Sequence, residues 1–432
     1  MVPLRVWSAA LAAGTVAAAS VVPDSVAHAL GNLSPYHKAP VPSGIREDLP
    51  EDCVVDRVLY MARHGDRYPL ASELPPIQGL VAKLQSDAGK RAIARARLPS
   101  GLAFLKRGYT STLGANDLSA RGRQTLFEHG VAMRIRYPHL QATTILAGIQ
   151  DRVEESAQWF AQGYFGRAWD NSTYERIAED SVTPSWITPM NTCKNWKYDY
   201  GNNGVVAWGK AYLPPIAKRL NRAIPGLDLT TDDVHGALYA CAYDLAALGP
   251  ALSPWCGAFT PSELQSFEYE LDLLMDGAFG YNLPGDMGPT LGALYVARLV
   301  GILTSTNTTD QAMHLEFGHD TTIDLALTAL GLFKDARPLS AAGPVPRNRR
   351  FRTSSQVPFG AQMLWERFAC GAGEPQVRLL LNDAPVPLGC KTGLGRQYGT
   401  CSVREFASMH AKAAAVQWGD ARWVAACGAT AA

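Results

Sequence analysis

The sequence predicts an α/β fold with a helical region set apart from the sheet. Three observations lead there. Runs at 54–62, 143–147 and 312–317 are short, apolar or β-branched, and each empties into a polar loop followed by a helical pattern. Between residues 190 and 285 the pattern is helical, with few strand signals. Near the C-terminus, 361–368 and 377–381 read as two strands joined by a turn, which adds antiparallel sheet.

Taken in order, residues 1–29 read as a secretory leader. Arg5 gives the positive start, 6–22 is apolar and alanine-rich, and small residues up to Ala29 offer a cleavage site; cleavage near Ala19 is the alternative. As a membrane anchor the run is barely long enough. Residues 30–52 are rich in Pro, Gly and polar side chains and should wrap the surface. The first strand follows, broken only by Asp56 and Arg57, and stops at the loop Arg63-His64-Gly65-Asp66-Arg67-Tyr68-Pro69. A basic helix is expected over 77–96, its lysines and arginines forming either a solvated face or a positive rim that draws in anions. Ser119 should cap a helix running to Arg136. The second strand delivers Arg152, with a helix after it. Helices are expected around 208–221, 231–248 and 261–275, and again over 291–303 and 325–330. The third strand delivers His319 and Asp320. This divides the chain into a leader (1–29), an α/β core (30–75, 138–189 and 286–432) and a helical domain (76–137 and 190–285).

A formal net charge of +1 with no dense basic tract argues against a nucleic-acid partner. Beyond the leader no stretch has 18 uninterrupted apolar residues, so no membrane is expected after cleavage. Eight cysteines, all beyond the leader, suit an oxidising compartment and lack the paired short spacings of a zinc site. Sequons at Asn32, Asn171 and Asn307 are glycosylation candidates. A secreted, extracellular or wall-associated protein is the expectation.

The strand ends carry the chemistry. Arg63, Arg67 and Arg152 are suited to the oxygens of a phosphoryl group, and His64 to attack on phosphorus. Asp320 is placed to protonate the leaving oxygen and then to activate water, which implies an acidic working range. The arginines supply the positive charge, so neither metal nor other cofactor is expected. Taken singly, each piece has a plainer meaning: an Arg–Asp ion-pair cluster, a satisfied core histidine at His319, an N-cap at Asp320. The other histidines show no ligand spacing.

In this context the 63–69 loop and the His319-Asp320 pair resemble the signature of the histidine acid phosphatases, the secreted branch that includes fungal phytases and broad-specificity acid phosphatases. The resemblance runs from about Ser34 to Cys427 and includes 108–122, 151–166 and 285–294. It implies a phosphoglycerate-mutase-like parallel sheet core with a mostly helical cap domain. It implies a phosphohistidine on His64, phosphate binding by Arg63, Arg67, Arg152 and His319, and proton donation by Asp320. It also implies the disulfides Cys53–Cys370, Cys193–Cys427, Cys241–Cys256 and Cys390–Cys401. Asp66 and Lys106 become candidates for the substrate pocket. Several positions depart from the phytase-like pattern: Gly101 and the pair Leu274 and Met275 stand where basic residues are expected, and Thr321 replaces an asparagine. Small phosphate monoesters are therefore the expected substrates, with phytate one candidate. The rival readings are a phosphomutase or transferase, which the leader and sequons disfavour, and a non-catalytic secreted glycoprotein, for which His64, Arg152 or Asp320 should be missing.

Overall fold

The computed structural model describes residues 22–307 and 311–429. Most of the expected leader lies outside the described residues. An eight-stranded sheet forms the core: β1 (Cys53–Arg63), β2 (Thr144–Gly148), β3 (Thr173–Ile177), β4 (Met313–Gly318), β5 (Gln362–Cys370), β6 (Gln376–Leu381), β7 (Ala384–Val386) and β8 (Cys401–Ser402). The order is β3-β2-β4-β1-β5-β6-β7, with β8 paired to β6. The β3-β2-β4-β1 half is parallel, and from β5 onward the strands are antiparallel. The core is thus α/β with a mixed sheet.

β1 is apolar almost throughout because both its faces are covered. Val58, Tyr60 and Ala62 pack beneath the helices Ala120–Arg136 and Asp151–Phe165, against Leu126, Met133 and Phe160. Leu59 and Met61 point the other way, toward Val296 and Leu299 of the helix Met287–Thr304. That helix is long and apolar enough to cross a membrane, but more than half of it is buried, here by the sheet and the helix Asp320–Ala329. A third core joins Leu80, Leu220, Leu238 and Phe267 from the helices Leu74–Gln85, Asp199–Ala223, Thr231–Leu248 and Pro261–Phe279, which form the cap region. Each such buried side chain contributes about 1.5–3 kcal/mol.

Two expectations change. The helix expected over 77–96 is two helices, Leu74–Gln85 and Asp87–Arg95, because Ser86 turns extended and its hydroxyl accepts from the Gly89 amide. The helix Ala120–Arg136, assigned above to the helical domain, packs on the sheet. It crosses Asp151–Phe165 so closely that a Cβ on Gly130 would stand 2.1 Å from the Phe160 carbonyl. The cysteines pair as Cys53–Cys370, Cys193–Cys427, Cys241–Cys256 and Cys390–Cys401. The first bridge joins facing residues of β1 and β5.

Candidate active site

The carboxyl ends of parallel strands open onto the loops that follow them, and there β1, β4 and the turn after β2 converge on a cavity of about 210 Å³. β1 delivers Arg63 fully buried. Its Nη1 donates to the Val357 carbonyl at 2.6 Å and to the Asn32 carbonyl, and its Nη2 lies 2.9 Å from Asp320 Oδ2. The guanidinium carbon sits 4.4 Å from the Phe359 ring centroid. The chain then turns at Gly65, which passes so near the helix Ala120–Arg136 that a Cβ would stand 2.6 Å from the Gly122 carbonyl.

His64 is buried beside these arginines. Its Nδ1 lies 2.9 Å from the Gly65 carbonyl and donates to it, which leaves the lone pair on Nε2. Burial first, then Arg152, Arg63, Arg67 and His319, push the imidazole well below its ordinary range. It therefore keeps that lone pair in acid. Arg67 is held by the Tyr68 carbonyl at 3.0 Å, Glu73 at 3.2 Å and the Tyr243 hydroxyl at 3.3 Å. Arg152, in the first turn of its helix, lines the cavity, and its Nε has no hydrogen-bond partner among the described residues. Burial and the charge of Arg67 push it down to about 10.

Asp320 opens the helix Asp320–Ala329. Its Oδ1 accepts from the Thr321 amide and its Oδ2 from Asn32 Nδ2, both at 2.9 Å. Burial works to raise this carboxyl, but Arg63 and the Asn32 hydrogen bond outweigh it and hold it below the usual carboxylate range. His319 lines the same cavity, with Nε2 2.9 Å from Glu179 Oε2. The six residues expected from the strand ends are thus within one site, a cluster of three arginines with two imidazoles and a carboxyl.

The two pocket candidates are elsewhere. Asp66 does not line the cavity; it is buried against Thr125 and the charge of Arg121, where it braces the helix Ala120–Arg136. Lys106 donates to the Ile93 and Ala94 carbonyls at 2.7 and 2.8 Å, so it closes the C-terminus of the helix Asp87–Arg95. Lys83, from the same basic stretch, is tied to Asp233. None of the three forms a rim to the cavity. Asn32, expected as a sequon, is 7% exposed and locked between Arg63 and Asp320, which leaves no room for a glycan. Residues that sequence reasoning missed are Asn32 in this role, Glu73, Tyr243 and Glu179. Outside the cradle the wall combines Leu70, Met190, Leu274, Met275, Phe279 and Tyr198 with the polar side chains of Gln150, Thr188, Asn191 and Thr321.

The family model described as the histidine phosphatase superfamily (branch 2) matches residues 54–382. The chain is 30% identical to Phytase A of Emericella nidulans over 417 residues, covering 88% of this chain and 87% of the relative. It is also 30% identical to a thiamine-repressible acid phosphatase of Schizosaccharomyces pombe, covering 92% and 90%. Among solved structures it superposes on the phytase from D. castellii with a TM-score of 0.80 at 25% identity, covering 94% and 88%.

Proposed function

Because this chain belongs to branch 2 of the histidine phosphatase superfamily, we propose that it hydrolyses phosphate monoesters in acid through a phosphohistidine on His64. The observation that carries the reading is the orientation of His64: its Nδ1 is spent on the Gly65 carbonyl and its Nε2 is free among three arginines. Arg63, Arg67 and Arg152 would hold the phosphoryl oxygens and stabilise the charge of the transition state. Nε2 attacks phosphorus and the P–O bond to the leaving group breaks. Asp320 gives its proton to that oxygen. Water then attacks the phosphorus, Asp320 takes a proton from it, and the N–P bond breaks to release phosphate and restore His64.

The cavity wall supports substrates with uncharged leaving groups more than phytate. Its residues beyond the cradle are apolar, aromatic or uncharged polar, and the one charged group there is the carboxylate of Glu73. A polyphosphorylated ring would bring further anions to a wall with no lysine in it. Four disulfides, the leader and the exposed sequons at Asn171 and Asn307 support a secreted enzyme.

The test is phosphate release from p-nitrophenyl phosphate and from phytate between about pH 3 and 7, with EDTA present, for the wild type and His64→Ala. Hydrolysis that survives EDTA and drops about 10³-fold or more in the variant is expected. A folded wild type inactive on both substrates would sink the proposal.

A further inference from the structure

Glu179 follows β3 and is not part of the cradle, yet it is one of the most firmly held carboxylates near the site. Its Oε2 accepts from Gln150 Nε2 at 2.7 Å and from His319 Nε2 at 2.9 Å, and its Oε1 from the Gln150 amide at 3.4 Å. Both side chains of the Glu179–His319 pair are more than nine-tenths buried. Burial alone would raise the carboxyl, but the hydrogen bonds from His319 and Gln150 hold it below its ordinary range. The site therefore favours the anionic form of Glu179.

That anion restricts what His319 can offer a substrate. An imidazole that gives Nε2–H to a carboxylate has only Nδ1 left, and Nδ1 donates only when the ring is the imidazolium. A phosphate oxygen accepts and does not donate. A neutral His319 would meet the phosphate with a lone pair, whereas the charged ring bridges carboxylate and phosphate with one N–H to each.

We propose that Glu179 is the positioning residue that makes His319 a phosphate ligand, fixing its ring and balancing the charge it carries while phosphate is bound. The inference rests on the phosphatase reading above. The groups facing His319 are Glu179 from the segment after β3, His64 from the β1 loop with ring centroids 5.8 Å apart, Asp320 next along the chain, and Arg152 from the helix Asp151–Phe165. His64 stays neutral, Asp320 and Glu179 bring negative charge to this corner of the site, and Arg152 brings positive charge. Without the charge of Glu179, the arginine acts against one carboxylate instead of two.

The test is competitive inhibition by inorganic phosphate, measured from about pH 4 to 8 beside turnover of p-nitrophenyl phosphate, in wild type and Glu179→Gln. The amide keeps an acceptor for Nε2 and removes the charge. Phosphate should bind about tenfold more weakly to the variant, as expected for losing support of one charge-assisted hydrogen bond. Its alkaline limb should move to lower pH, and KM should suffer more than kcat. An inhibition constant and limb equal to those of the wild type would overturn the inference. A wild type without hydrolysis would instead overturn the phosphatase reading. If the variant does not fold, nitrogen NMR of the wild-type phosphate complex decides, with His319→Asn for assignment. Two protonated nitrogens on His319 support the proposal, and a neutral ring rejects it.

Discussion

In the proposed mechanism Asp320 carries a proton when the leaving oxygen departs, although in the free site Arg63 favours its anion. On that mechanism a phosphate dianion placed on the arginines would offset that bias, and the carboxyl would take up its proton together with the substrate. Asp320→Asn should then lower kcat by about 10²–10⁴-fold on an alkyl phosphate, and far less on p-nitrophenyl phosphate, whose leaving group departs without a proton. Equal losses on the two esters would remove Asp320 as the acid. Asn32 supplies a further check at this scale. Peptide mapping of protein from a eukaryotic host should find glycans at Asn171 and Asn307, both exposed, and none at Asn32. Part of this site was legible in the sequence because it is contiguous: two arginines and a histidine in five residues at a strand end, and a His-Asp pair at another. Asn32 and Glu179 were not. Asn32 is a lone polar residue in a single 3-10 turn and Glu179 one in a loop, neither with any periodicity, and the Asn32–Asp320 contact spans 288 residues of chain.

Among the elements, β1, β2, β4, β5 and β6 could be read because burial on one or both faces leaves apolar runs of strand length. β3 could not: it lies at the sheet edge and most of its side chains face solvent, so no pattern marks it. The split of the basic helix was hidden for a different reason, since Ser86 is tolerated inside a helix and acts as a cap only where the chain turns. The helix Ala120–Arg136 meets the sheet through Leu126 and Met133 and meets the helix Asp151–Phe165 at Gly130, a close approach that leaves no apolar signal in the sequence. That contact is testable. Gly130→Ala puts a methyl against the Phe160 backbone, and urea denaturation should show a loss of about 1–3 kcal/mol, the range for overpacking. An unchanged midpoint would mean that the two helices can separate without strain.

The whole molecule carries a pH signature in its buried carboxyls. Burial pushes Asp66 up to about 6, and Asp244 and Asp276 up to about 7. Asp324 is raised well above its ordinary value by burial and by Asp320. Between their unfolded values near 4 and these folded values, the folded state binds more protons than the unfolded one. Stability is therefore fully present below about pH 4 as far as these groups are concerned, and falls as pH rises through the window. Asp320, Glu179 and Asp233 act oppositely, losing their contribution as pH falls through their lowered values. Thermal unfolding should accordingly show a higher midpoint near pH 5 than near pH 7.5. A midpoint that rises toward pH 7.5 would contradict the assignment. The disulfides have a different consequence. The Cys53–Cys370 loop and the Cys193–Cys427 loop overlap. A protease that severs any single peptide bond between Cys53 and Cys427 therefore cannot release a fragment, because one of the two bridges always spans the cut. Such a nicked chain would keep its full mass until reduced, so exposed loops can be cut without dispersing the site.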